Sequence, residues 1–273
     1  MTGCAGVRRM SRGEGNEPMI PNRRAAILRV MVLGALLALP GQGAHASKIA
    51  TVEFTCPIGG AKFKQMMALS GTQSGRRLDT RPYGRIRSPS PLPKCKSNGF
   101  VVYQDEFTAE ELAKLKPIVR SRAYQDLRKK HRSYYLAAYL RERMGAAKLE
   151  LGLTYLKASW QAEGAWSPDR DADTPPAKNM LADEYRLLAL QKLDSHLAAS
   201  GDRSAQWWNA AIIAAELERL LGRFPQAETR LVGLSAGAAN ASPGQLRAIA
   251  QIRAHAASGN ARPQALAPAP AAP

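Results

Sequence analysis

Leu149-Glu150-Leu151-Gly152-Leu153-Thr154-Tyr155-Leu156-Lys157-Ala158-Ser159-Trp160 decides the fold class. Leu149, Leu153, Leu156 and Trp160 recur at spacings of four, three and four, which places them on one face of a helix. Upstream, Tyr135, Ala138, Tyr139 and Glu142 share a face, and Gly145 divides the two runs into a hairpin over 134–163. Further upstream, Thr108-Ala109-Glu110-Glu111 reads as a capping box, with Thr108 as N-cap and Glu111 three residues on. Downstream, Leu190, Leu193 and Leu197 mark a helix over 179–199, and Trp208, Ile212 and Ala215 mark one over 204–221. Ser242-Pro243 reads as an N-cap followed by Pro at the first helical position. The polar, Pro-rich stretch 166–178 reads as loop, and the Ala/Pro composition of Ala261–Pro273 predicts a disordered tail.

Leu221-Gly222-Arg223-Phe224-Pro225-Gln226-Ala227-Glu228 resembles the turn of a tetratricopeptide repeat. Gly222 would end one helix and Ala227 would let the next approach closely. Helices over 204–221 and 226–234 form one such hairpin, and a lone hairpin needs neighbours to cover its apolar face. The expected fold is therefore mainly α, with tetratricopeptide-like hairpins preceded by a small irregular β element. An ordinary helical bundle with one repeat-like hairpin is the alternative, and only the repeat reading implies a groove for a partner.

The first 46 residues read as an export signal. Arg23, Arg24 and Arg29 give a basic flank, Val30–Leu39 is an unbroken apolar run, and Ala44-His45-Ala46 supplies an A-x-A cleavage site. The run is shorter than the ~20 residues of a membrane span. Met19 would be a tidier start than Met1. Cleavage after Ala46 leaves 227 of 273 residues and removes six Arg and two Glu, so the formal charge falls from +17 to +13. A basic protein in the periplasm or outside the cell meets anionic lipid head groups, acidic glycans or acidic proteins rather than nucleic acid. Of three Cys, Cys4 leaves with the signal, and the remaining even count in an oxidising compartment favours a disulfide over free thiols.

Residues 47–107 read as a β-rich cysteine-containing region, 108–258 as an α-helical repeat-like domain and 259–273 as tail. Thr51–Phe54 and Phe100–Tyr103 are strand-like, and Ser70–Pro93 between them reads as loop. Cys56-Pro57-Ile58-Gly59-Gly60-Ala61-Lys62-Phe63-Lys64 looks like a zinc-ribbon knuckle with Gly59 where a second Cys belongs. Cys95-Lys96-Ser97-Asn98-Gly99-Phe100 looks like its mate with Asn98 in that role. These elements, with Arg77-Leu78-Asp79-Thr80 and Tyr83 between them and the helical run ending in Ala158-Ser159-Trp160, resemble the bacterial domain-of-unknown-function family numbered 2225. The resemblance spans about 53 to 235. It implies zinc binding and protein interaction, and no established activity. Since ribbon knuckles bring their cysteines close together, it also implies that Cys56 and Cys95 could bond to each other. Zinc through these two thiols and ligands shared between chains is the alternative, because a tetrahedral site needs four ligands.

No catalytic constellation, metal site or cofactor motif is expected. His131 in Lys129-Lys130-His131-Arg132 reads as part of a solvated basic face, and His196 and His255 stand alone in helical segments. Asp169, Asp171 and Asp173 lack the Gly and terminal Glu of a calcium loop. Lys114, Lys116, Arg120, Arg122, Arg128, Lys129, Lys130 and Arg132 form the conspicuous basic patch. The functional expectation is an exported, non-catalytic protein-interaction module with a structural disulfide. The alternatives are an envelope accessory protein docking on anionic lipid or glycan through its basic face, and a zinc-binding protein of unknown activity.

Overall fold

A computed structural model describes residues 48–171, 179–201, 203–237, 239 and 241–268. The export signal, Asp173 and the last five residues lie outside the described residues. The described residues belong to one compact unit, Ala44–Pro273. Strands β1 (Lys48–Thr55), β2 (Lys62–Ser70), β3 (Gln73–Arg76) and β4 (Pro82–Gly84) come first. Helices α1 (Ala109–Arg120), α2 (Arg122–Lys130), α3 (Ser133–Arg143), α4 (Lys148–Glu163), α5 (Pro168–Asp171), α6 (Met180–Ala199), α7 (Ala205–Leu220), α8 (Phe224–Ser235) and α9 (Pro243–Ala257) follow. The mainly helical class with a small β element in front is as the sequence predicts.

The caps explain the helix starts. Thr108 Oγ1 accepts from the Glu111 amide while the Glu111 carboxylate accepts from the Thr108 amide, so the capping box is complete. Ser121 ends α1 and caps α2. Ser242 and Gln245 form a second box at α9, with Pro243 in its first turn. Gly145 takes φ +80° between α3 and α4, a conformation that other residues adopt only at a cost, and so breaks the run into the expected hairpin.

Strands β1 and β2 form one antiparallel hairpin, in which Phe54 faces Phe63 and Thr51 faces Met66. Strands β3 and β4 form a second, inside the stretch that composition marks as loop. This corrects the loop expectation for Ser70–Pro93. Gly75 permits the pairing because a β-carbon there would come within 2.5 Å of Tyr83 Oη. Phe100–Tyr103 is not a strand: its apolar residues are core filling, and only Val101 pairs, with Lys94.

Three cores follow one another along the chain. The first joins the β1–β2 hairpin and both Cys to α1, α2 and α3. The second lies among α3, α4, α6 and α7. The third holds Trp208 and Ile212 of α7, Leu231 of α8 and Ile249 of α9, together with Leu78 from the β3–β4 turn. Helix α7 is buried without interruption from Ala210 to Leu220, so it is the axis of the helical half and has no open face there. The tail expectation is corrected for 259–268. The Leu78 amide donates to the Gln264 carbonyl, the Leu266 amide donates to the Arg76 carbonyl, and Leu266 packs on the third core. Composition does not show this because backbone pairing and one partly buried leucine hold the segment.

Candidate functional site

The two cysteine turns have the same hydrogen-bond pattern. The Cys56 amide donates to the Ala61 carbonyl and the Gly60 amide returns to the Cys56 carbonyl. The Cys95 amide donates to the Phe100 carbonyl and the Gly99 amide returns to the Cys95 carbonyl. Gly60 and Gly99 both have positive φ. The turns place the two Cα atoms 5.6 Å apart, and Cys56 and Cys95 form a buried disulfide. Asn98 organises the meeting point: its amide donates to the Ile58 carbonyl at 2.7 Å, and its oxygen accepts from the Phe100 amide at 2.8 Å. The residues here do not fit a structural zinc. Both thiols are spent in the bond, Gly59 has no side chain, and the Asn98 amide is committed to backbone partners.

The basic patch predicted from sequence does not converge on one spot. Lys114 pairs with Glu110, and Arg122 and Lys129 both pair with Asp126, all at exposed positions where ion pairs add little. Arg128 bonds to Gln125 and the Ser97 carbonyl, and its stem seals Gly99. Lys116, Arg120 and Lys130 are exposed, with no partner among the described residues. Arg132 lines a cavity, and its guanidinium is held by the Gln161 carbonyl at 3.0 Å.

That cavity is the strongest candidate site. It measures about 610 Å³ and runs between β2, the segment Pro91–Lys96 and the start of α3. Among the described residues, Lys64, Arg87, Lys94, Lys96 and Arg132 line it, with His131, and no Asp or Glu does. Its frame is built from amides. Gln65 Nε2 donates to the Leu92 carbonyl, and Gln65 Oε1 accepts from the Lys94 amide. Gln161 bridges Ser133 Oγ and the Tyr134 amide. Burial, and then the neighbouring Arg128, pull the Lys94 ammonium below the ordinary lysine range. His131 is not on a solvated face. It stacks on Tyr135 at 3.8 Å, bonds to the Tyr185 hydroxyl, and is held below the usual histidine range chiefly by burial. It is thus the neutral member of the lining near pH 7. Sequence reasoning missed Lys64, Arg87, Lys94 and Lys96 because they are scattered through a region read as ribbon and loop. The available signal was the pair of lysines flanking Cys95.

A second charged cluster is closed. Arg77 donates to both oxygens of Asp79 and to Glu163, Arg81 and Arg186 also donate to Glu163, and Trp160 Nε1 donates to Asp79 at 2.8 Å. With Asp183 on Arg186, three cations meet three carboxylates. Arg186 Nε is left without a partner. Burial pushes the Glu163 carboxyl up, but Arg77, Arg186 and Arg81 together outweigh it and hold it at about 2. Thr80, between the two charged turn residues Asp79 and Arg81, takes φ +70°. This cluster joins the β3–β4 turn to α4 and α6, and its charges are answered from within the chain, so its arrangement is structural.

No helix among the described residues is long and apolar enough to cross a membrane. Among the same residues, no group of three or more His, Cys, Asp or Glu side chains is placed to hold a metal ion. No protein-family model matches the chain, and no curated protein or solved structure matches it.

Proposed function

We propose that this protein is an exported, non-catalytic binding module that takes anionic groups of the cell envelope into the basic cavity beside β2. The carrying observation is the lining itself: five cationic side chains on about 610 Å³ with no carboxylate among them. Phosphate and carboxylate groups are the ligands such a lining suits, through charge-assisted hydrogen bonds. The cavity supports this reading better than a groove on the repeat-like hairpin, because α7 is covered from Ala210 to Leu220. The matched cysteine turns support the resemblance to a zinc ribbon in which a disulfide replaces the metal, and an oxidising compartment would keep that bond formed. The test is calorimetric titration with inorganic phosphate. The parent chain binds, and Lys94→Gln/Lys96→Gln weakens binding by about tenfold or more. Equal binding by both proteins would show that phosphate does not bind in the cavity.

A protein partner held by the helical half is the second reading. It is supported by Met180 and Leu187, exposed seven residues apart on α6 beside a shallow cavity that they line with Asp183 and Glu184. Crosslinking in intact cells tests it: a partner captured by the parent and lost with Leu187→Asp supports it, and capture unchanged by that variant counts against it.

A further inference from the structure

The β1–β2 hairpin carries an apolar surface next to the cationic cavity. Pairing of Thr51 with Met66 and Ile49 with Ala68 puts Ile49 and Met66 on one face as diagonal neighbours. Ile49 is 59% exposed and Met66 66%, and Leu69, 53% exposed, follows on the same strand. The opposite face is spoken for, since Phe54 stacks on Phe63 over the first core. Cys56, directly after β1, ties the hairpin covalently to the turn that bears Lys94 and Lys96. The hairpin is thus a rigidly mounted element rather than a floppy arm. Met66 is also a wall of the cavity, so the apolar and cationic surfaces are continuous. Glu53, the carboxylate on the outer face, is neutralised by Lys62.

We propose that this end of the molecule docks on an anionic phospholipid bilayer, with lipid phosphates in the cavity and Ile49, Met66 and Leu69 in the acyl boundary. The inference rests on the cavity reading above and gives its ligand a source. Large apolar side chains beside clustered Lys and Arg are what the boundary of an anionic membrane retains, since one part is drawn into the hydrocarbon edge and the other to the head groups. Charge complementarity selects this occupant, because among the described residues the cavity beside Met66 has five cationic side chains and no acidic one to meet a basic partner.

The experiment is co-sedimentation of Ser47–Pro273, which contains all three cores, with phosphatidylglycerol vesicles and with neutral phosphatidylcholine vesicles. The parent binds the anionic vesicles and not the neutral ones. Ile49→Ser/Leu69→Ser weakens that binding by about tenfold or more and leaves inorganic phosphate binding unchanged. Lys64→Gln/Lys96→Gln weakens both. Lys116→Gln/Arg120→Gln/Lys130→Gln removes the same kind of charge from the α1–α2 surface and changes vesicle binding less than about threefold. Circular dichroism confirms that each surface variant is folded. Phosphate binding without vesicle binding would overturn the membrane proposal and leave the cavity reading standing. Loss of both in the parent would remove both. Unchanged vesicle binding by Ile49→Ser/Leu69→Ser, or a loss in the α1–α2 variant as large as in Lys64→Gln/Lys96→Gln, would reduce the attraction to bulk charge and overturn the proposal.

Discussion

Two clusters of arginine and lysine lie in this molecule, and they differ in what faces them. Around Glu163, three guanidinium groups meet three carboxylates, and nearly every donor has an acceptor from the same chain. Around the β2 cavity, five cations line open space, and among the described residues no carboxylate lines it with them; Glu53, opposite Lys64 on β1, pairs with Lys62. The first arrangement closes on itself, so its chemistry is cohesion. The second is open to solvent, and the proposed function completes it with an anion from outside. A buried charge is tolerated once it is paired and becomes costly when its partner is removed, whereas a solvent-facing cation contributes little to stability. The two clusters should therefore separate cleanly, one in folding measurements and the other in binding measurements.

The largest separation comes from Glu163→Ala, which leaves Arg77, Arg81 and Arg186 without their common acceptor. Chemical denaturation should show a loss of about 3–5 kcal/mol, and a loss under about 1 kcal/mol would mean the cluster is not what joins the β3–β4 turn to α4. Next, replacing Cys56 and Cys95 with Ser releases a loop of 39 residues, with an expected cost of about 4 kcal/mol in the chain-entropy model. Thiol counting on the denatured parent protein without reductant should find none from this pair.

Acid gives a smaller effect. Glu163 is held at about 2 against an ordinary 4.5. Its folded value is depressed, so its contribution is present above about 4.5 and is lost as pH falls from there toward 2. The total is about 3 kcal/mol. Urea midpoints between pH 6 and pH 2.5 should fall in the parent, and that part of the slope should vanish in Glu163→Gln. Trp160→Phe removes one donor from Asp79 and should cost about 1.5 kcal/mol. Smallest of all, Lys96→Gln in the cavity should change stability by less than about 0.5 kcal/mol while weakening anion binding. A variant that loses stability and binding together would blur the division between the two clusters.

Much of the helical half was legible because its signals are local. The stripe ending at Trp160, the boxes at Thr108 and Ser242, and the break at Gly145 each follow from residues within a turn or two of one another. The β element was only half legible. Thr51–Phe54 announced β1, but β3 and β4 lie in Pro- and Gly-rich sequence and owe their pairing to Arg77 and Asp79, which are fixed by Glu163 and Trp160 on a helix 80 or so residues away. The tail was misread for the same reason, since Leu266 is ordered by Arg76 and the third core. Of the candidate site, Arg132 alone stood out in sequence. Lys64, Arg87, Lys94 and Lys96 come together only when the hairpin folds onto the second cysteine turn, and a linear run of charge drew attention to α1 and α2 instead.

The contrast between an open and a closed cluster is tested most directly by titrating isotope-labelled protein with inorganic phosphate and following backbone amide shifts. Movements are expected only at Lys64, Lys94, Lys96, Arg132 and Ser133, with Arg77, Asp79, Glu163 and Arg186 unmoved. Shifts spread evenly over the basic surface of α1 and α2, or absent from the cavity, would contradict that contrast.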